Sequence, residues 1–525
     1  MAWISREQVH PPHLKFTMGF GSDKTVAELA PPPAPQNVSF EKKMLYYMWD
    51  SDQHVKSPEE RRLLRKLDFG ILLVASLGWF MKYVDQANLA NAYVSGMKED
   101  LHIKANEYTY MQTCYLIGFA IMQLPSSVIA LKVRPSIWLF CCEIGWTIFT
   151  FAQAGAKSPR EMYFFRFMVG LFESAFSPVI IFLLGSWYSK AELAKRVAIW
   201  HLTGFVGQAC SGFMQAAIYD TLNGKAGLAG WRWLYIICGI MTLPVCFLCL
   251  SVLPDYPTTC RVWYISDDDK AIALRRSANA GRVEVTGRLD WALAKRIGSS
   301  WRIYTLVLAY IFYGSSCQSN NYFGIYLKAM GYTVNERNII PATANLVSAV
   351  TVFLYGFGSD ITRNRFWWVL CPLVFIQWTG NGILAIWPHN PKIRFAGFYL
   401  ISAEYMTCVY WTWANEICSG NAEERAITIA AMNGFFYFFN AGIPNAIFLQ
   451  TDGPTFRKGF PTTWAFGILA AMFVVLVQFL HNRDVRLTLA RKAAEVESAS
   501  VSVDEKVQEE EEKEGVVPPS IPTVH

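Results

Sequence analysis

The chain alternates long apolar runs with short polar connections. Twelve runs reach the length that a helix needs to cross a bilayer, about 20 residues. They lie near 68–90, 108–130, 136–156, 161–186, 196–219 and 232–253, then 302–326, 339–359, 366–387, 395–415, 425–448 and 462–481. Several contain glycine or proline, which membrane helices tolerate better than soluble ones. The pattern predicts an all-α membrane protein of twelve transmembrane helices in two six-helix halves. The expected organisation is a cytosolic disordered tail at 1–66, a first half at 67–253, a cytosolic connector at 254–301, a second half at 302–482 and an acidic disordered tail at 483–525. Two parallel halves joined by a connector is a layout of secondary transporters.

Within the connector, Ser266-Asp267-Asp268-Asp269 has the form of a capping box. A short interfacial helix is expected over Ala271 to Arg276, and a second over Leu289 to Ile297. The first sixty residues are polar and proline-rich, with Pro31-Pro32-Pro33-Ala34-Pro35 favouring an extended form. No early apolar segment of a cleavable signal is seen, so the first span is expected to serve as the signal.

Composition strengthens the membrane reading. Of 525 residues, 53% are hydrophobic and 17% charged, where a soluble chain carries about a quarter charged. Lys and Arg concentrate in connections on one side: Arg61 to Lys66, Lys132 and Arg134, Lys190 to Arg196, the 254–301 loop, Arg363 and Arg365, Arg425, and Arg483 to Lys492. The positive-inside rule then places both termini in the cytosol. The net charge of +6 is spread over these loops, so no nucleic-acid partner is expected. The cysteines lie mostly inside apolar runs, where they act as small hydrophobes. Cys246 and Cys249 form a C-x-x-C, but within a span.

The candidate chemistry is charge inside the spans. Such residues are costly, about 2.5–3.5 kcal/mol at a helix centre, and usually face a bundle interior or a solute path. Lys82 and Asp85 lie one turn apart near the end of the first span, so they can share a face. They are either an internal ion pair or part of a solute path. Arg166 and Glu173 stack two turns apart on the fourth span with Gly170 between them. That spacing suits an exchangeable pairing, and equally a static buried network. Glu143 and Glu404 stand isolated among apolar neighbours, each a proton carrier or a hydrogen-bonded internal carboxyl. Glu416 reads as a loop-edge residue that pairs with Arg425, and His201 as a packed residue. Gly204, Gly207 and Gly212 allow close helix packing. Asn320, Asn321, Asn433 and Asn440 are amides within spans, fit to bind solute or to join helices.

Motifs of hydrolases, metalloproteases and nucleotide-binding loops are absent. The chain is therefore not expected to be an enzyme or to need a cofactor or a metal. It is expected to draw on an ion or solute gradient.

Several stretches resemble the major facilitator superfamily, in particular the fungal allantoate-permease branch of anion:cation symporters. Gly356-Phe357-Gly358-Ser359-Asp360-Ile361-Thr362-Arg363 resembles its cytoplasmic gating motif, which implies gating roles for Gly358, Asp360 and Arg363. The equivalent loop of the first half, Lys132-Val133-Arg134-Pro135, lacks the aspartate. Arg166 to Glu173 with Pro178, Trp187-Tyr188 and Glu192 to Arg196 is similar to the branch signature in the fourth span. Asp85 through Leu101, with Gln215 to Asp220, is similar to pantothenate transporters of the branch. The resemblance covers about 60–485.

It implies proton-coupled import of a small organic carboxylate such as pantothenate. A monomer in the plasma membrane is expected. Import of another carboxylate, or export of a secondary metabolite on the same scaffold, are the alternatives. Lys82, Arg166, Asn320, Asn321 and Asn433 are then the substrate-binding candidates, and Asp85, Glu173 and Glu404 the proton-coupling candidates.

Overall fold

A computed structural model describes residues 56–279, 291–362, 364–418 and 422–513. The chain divides into two units, Met1–Ser57 and Pro58–His525. All of the described helices belong to the second unit.

Among the described residues every regular element is helical. The helices are α1 (Pro58–Asp100), α2 (Glu107–Lys132), α3 (Pro135–Ala154), α4 (Pro159–Trp187), α5 (Lys190–Leu222) and α6 (Gly230–Ser251). Two connector helices come next, α7 (Asp267–Asn279) and α8 (Trp291–Gly298). Then come α9 (301–329, broken by a 3-10 turn at Cys317–Tyr322), α10 (Val334–Thr362), α11 (Arg365–Ile386), α12 (391–417, made of Pro391–Ser402 and Thr407–Ile417), α13 (Ala422–Ile447) and α14 (Gly459–Lys513). Leaving aside α7 and α8, these are twelve rods, one for each predicted span.

Seven of the rods (α1, α3, α4, α6, α10, α11 and α14) are long and apolar enough to cross a membrane on those grounds alone. Of the other five, α9 and α12 are interrupted. Breaks recur near the middle of the bundle: at Ser174–Ala175 in α4, at the 3-10 turn of α9, and at 403–406 in α12. α14 continues as helix to Lys513, beyond the span end expected near 481. The added length is rich in Ala, Glu and Lys, which favour helix.

Close packing tracks the glycines. A Cβ on Gly170 would lie 2.1 Å from the Tyr115 carbonyl, and one on Gly118 2.3 Å from that of Phe167. α2 and α4 therefore cross backbone to backbone. α5 packs along both α1 and α10, and α2 along α4 and α13. A Cβ on Gly212 of α5 would meet the Asn338 carbonyl of α10 at 2.7 Å.

The ion pairs sort by bundle end. At the end carrying the connector, Arg196 donates two hydrogen bonds to Asp68, at 2.6 and 2.9 Å. Arg134 pairs with Asp255 at 2.7 Å, and Arg276 of α7 with the buried Glu192 at 2.6 Å. Ser266 and Asp269 close the predicted capping box, with N to Oδ2 at 3.0 Å and N to Oγ at 3.3 Å. Asp269 also pairs with Lys66. Burial pushes its carboxyl up, but Lys66 and Ser266 outweigh this and hold it below the usual range.

Candidate functional site

A cavity opens between the first six rods and the last six. It holds about 1310 Å³ of space between atoms, part of it continuous with solvent. α1, α2, α4 and α5 line one wall, and α9, α10, α12 and α13 the other. Ten lining residues are amides: Gln86, Asn91, Gln112, Gln208, Gln318, Asn320, Asn321, Asn338, Asn345 and Asn440. Two are guanidinium groups, Arg166 and Arg337, and among the described residues none on the wall is acidic. A wall of this composition offers many neutral donors and acceptors and a net positive field. It suits an anion that also carries hydroxyl or amide groups.

The two arginines differ in what they already hold. Arg337 donates to the Tyr332 carbonyl at 2.7 Å and to the Val94 carbonyl at 3.2 Å. Arg166 is 2% exposed, with Nε and Nη1 unbonded. Its guanidinium lies over the Tyr115 ring, 4.8 Å from the centroid. Arg166 thus has donors to give to a ligand. Such donors form the strongest hydrogen bonds when the acceptor is a carboxylate.

Behind this wall lie the other charges predicted from the sequence. Lys82 is 1% exposed and does not line the cavity. Its ammonium makes no hydrogen bond and sits over the rings of Trp79 (4.8 Å) and Phe119 (4.6 Å). The expected pairing with Asp85 is not formed. Asp85 is fully buried, and its Oδ1 accepts from Asn88 at 3.3 Å and faces the Cys238 thiol at 3.9 Å. Its Oδ2 has no partner. Glu173 is also fully buried and does not bond to Arg166. It stands within electrostatic range of Lys82, Asp85 and Arg166, with the Tyr115 hydroxyl beside it in a geometry that leaves both carboxylate oxygens unbonded.

Buried charges in a static network are normally hydrogen-bonded and paired. Here two cations and two acids lie near one another with polar atoms left unsatisfied.

The remaining candidates separate clearly. Asn320 lines the cavity and accepts from Ser402 at 2.9 Å, and Asn321 lines it and donates to Gln318 at 2.7 Å. Asn433 does not line it. Glu404 sits in the break of α12, fully buried, with Oε1 accepting from Ser316 at 3.0 Å and Oε2 unbonded. Glu143 accepts from the Cys249 thiol at 3.1 Å, so one half of the C-x-x-C serves as a hydrogen-bond donor. His201 packs edge-on against Trp79, Trp200 and Trp411.

In the gating motif, a Cβ on Gly358 would lie 2.2 Å from the Trp368 ring. Asp360 pairs with Arg365 at 2.5 Å, and Arg365 also holds Glu416 at 3.1 Å. Glu416 therefore pairs with Arg365 and not with the expected Arg425. Arg363 lies outside the described residues.

At the end away from the connector, α9 and α10 grip the last turns of α1. Lys328 pairs with Glu99 at 2.8 Å and donates to the Tyr93 carbonyl at 3.1 Å. Asn338 donates to Ser95 at 2.9 Å. α1 is broken here: Ser95 is non-helical and Gly96 has φ +116°, a conformation natural to glycine alone.

Residues 71–444 match the family model described as Major Facilitator Superfamily. The chain belongs to this superfamily. It is 33% identical to the MFS transporter PfmaC of Pestalotiopsis fici, over 84% of each chain. It is 34% identical to the pantothenate transporter FEN2 of Saccharomyces cerevisiae, over 81% of this chain and 85% of that one. Among solved structures it resembles the xylose transporter XylE from E. coli in a partially occluded inward-open conformation. That match has a TM-score of 0.57 and 14% identity, and covers 77% of this chain and 98% of that one. The protein is a multi-pass membrane transporter of a small organic molecule and not an enzyme.

Proposed function

We propose that the protein imports pantothenate or a closely similar carboxylate together with protons. The observation that carries this reading is the composition of the cavity wall, which among the described residues has ten amides, two guanidinium groups and no acid. Pantothenate has one carboxylate, one amide and two hydroxyl groups, and each finds a partner on such a wall. The likeness to FEN2, named a pantothenate transporter, supports the same solute.

Arg166 takes the carboxylate, because its fork is uncommitted. Asn320 and Asn321 serve the neutral groups. Lys82 acts on the solute only through Glu173, whose charge it balances. Protons enter at Asp85 and Glu173, with Glu404 as the corresponding acid of the second half. The two six-helix halves rock about the cavity, with the connector and both termini in the cytosol and the molecule acting as a monomer in the plasma membrane. Gly358, Asp360 and Arg363 belong to the cytosolic gate, and the grip of Lys328, Arg337 and Asn338 on α1 forms the outer one. Transport of a different carboxylate is the second reading, because amides and guanidinium groups on the wall are not specific to one anion.

Uptake of labelled pantothenate into cells that lack their own carrier tests the proposal. Uptake well above the empty-vector control, abolished by a proton uncoupler, is expected. Uptake at the control level would remove pantothenate as the solute.

A further inference from the structure

Asp85 is sealed from the cavity, yet a continuous run of hydrogen bonds joins the two. Asn91 lines the cavity and donates from Nδ2 to Ser211 Oγ at 2.7 Å. Ser211 donates to Asn88 Oδ1 at 2.9 Å. Asn88 donates from Nδ2 to Asp85 Oδ1 at 3.3 Å. Asn88 and Ser211 are fully buried and do not line the cavity. All three bonds point the same way, from the cavity toward the carboxylate. An ionised carboxylate only accepts, so a charged Asp85 enforces this direction.

We propose that Asn88, Ser211 and Asn91 relay the protonation state of Asp85 to the solute cavity. A protonated Asp85 donates instead of accepting. Its O–H then bonds to the Asn88 carbonyl oxygen after that amide turns over. Asn88 Nδ2 donates to Ser211, and Ser211 donates to the Asn91 carbonyl oxygen. Asn91 is thereby reversed: its NH2 group, previously held by Ser211, is released toward the cavity. A carboxylate solute gains a donor. The proton and the anion each favour the other's binding, which is the sign that co-transport in one direction requires and which linkage makes reciprocal.

Other groups face Asp85 and share in setting its charge. They are Arg166 and Glu173 on α4, Tyr235 and Cys238 on α6, and the hydroxyl of Thr150 on α3, while Lys82 on its own helix acts on Glu173. None of these lies in the run to Asn91. Ser211 is the one member that neither titrates, nor touches Asp85, nor lines the cavity, so it isolates the relay. These roles are those of positioning residues, and the inference rests on the proton-coupled reading above.

The test is the pantothenate Kd of the purified full-length protein at acidic and neutral pH, for the wild type, Ser211→Ala and Ser211→Thr. The wild type should bind more tightly at acidic pH, by on the order of tenfold. Ser211→Ala should cut that ratio to below about threefold, and Ser211→Thr, which keeps the hydroxyl, should restore it. A merely structural tie would respond to bulk and give the reverse order, with alanine nearer the wild type. A wild-type ratio in Ser211→Ala would overturn the relay while leaving proton coupling intact. A wild type with no pH dependence would overturn both. If Ser211→Ala does not yield folded protein, Ser211→Cys, a weaker donor of similar size, should show an intermediate ratio.

Discussion

Replacing Arg166 with glutamine should weaken solute binding sharply and leave the fold intact. The guanidinium is 2% exposed, lies over the Tyr115 ring at 4.8 Å, and has unbonded Nε and Nη1 at the wall of the cavity. A carboxylate entering there meets a desolvated fork. Removing one partner of such a buried charge pair costs about 2–4 kcal/mol, or roughly 30- to 1,000-fold in affinity. Arg166→Lys keeps the charge but loses the planar fork, and should fall between the two. Arg337→Gln is the informative contrast. Two of its donors are already held by the Tyr332 and Val94 carbonyls, so it should change affinity less than Arg166→Gln does. The assay is the KM of labelled pantothenate uptake, with the amount of membrane-inserted protein measured in parallel. A KM within about twofold of the wild type in Arg166→Gln would refute the assignment of Arg166 as the anion's anchor.

Glu173→Gln should abolish accumulation against a gradient while solute exchange between the two sides persists; uphill accumulation by this variant would remove Glu173 from the coupling. Gly170→Leu should reduce the melting temperature and the yield of folded protein, because its side chain meets the Tyr115 carbonyl and overpacking costs about 1–3 kcal/mol. Gly356→Ala, where a Cβ meets nothing within 4 Å, is the silent control. Lys328→Gln should loosen the grip on α1 and expose position 95. A Ser95→Cys reporter, 3% exposed as serine, would then react faster with an impermeant thiol reagent, and an unchanged rate would show that the ion pair with Glu99 does not hold this end shut.

Much of the fold was legible because a bilayer leaves the chain few choices. Every backbone polar group must be satisfied within its own segment, so apolar run length translates directly into helix number. The breaks were harder to see. Ser174, Cys317 to Tyr322 and Ala403 to Met406 carry no proline at the break itself, and glycine is absent from them. Of the site, the buried charges Lys82, Asp85, Arg166 and Glu173 stood out as ionisable residues in apolar surroundings. Their relationships did not. Spacing placed Lys82 with Asp85 and Arg166 with Glu173, whereas the side chains turn to aromatic rings and to other helices. Lys82 is held by Phe119 of α2, a contact between distant parts of the sequence.

The cavity amides were largely missed. Gln86, Asn91, Gln112, Gln208, Gln318, Asn338 and Asn345 look like ordinary helix residues singly. Their common signal is that each falls within an otherwise apolar run or one residue beyond its end. Arg337, near the start of α10, reads in the sequence as a loop-side charge. Closeness in sequence points Glu416 to Arg425, but Arg365 at the start of α11 reaches it instead.

Anion uptake driven by a proton gradient is tested most directly with purified protein in sealed vesicles. With an acid-outside pH gradient imposed and no other driving force, labelled pantothenate should accumulate inside above its external concentration and leak back when the gradient is collapsed. Equal internal labelling with and without the gradient would contradict proton-driven uptake.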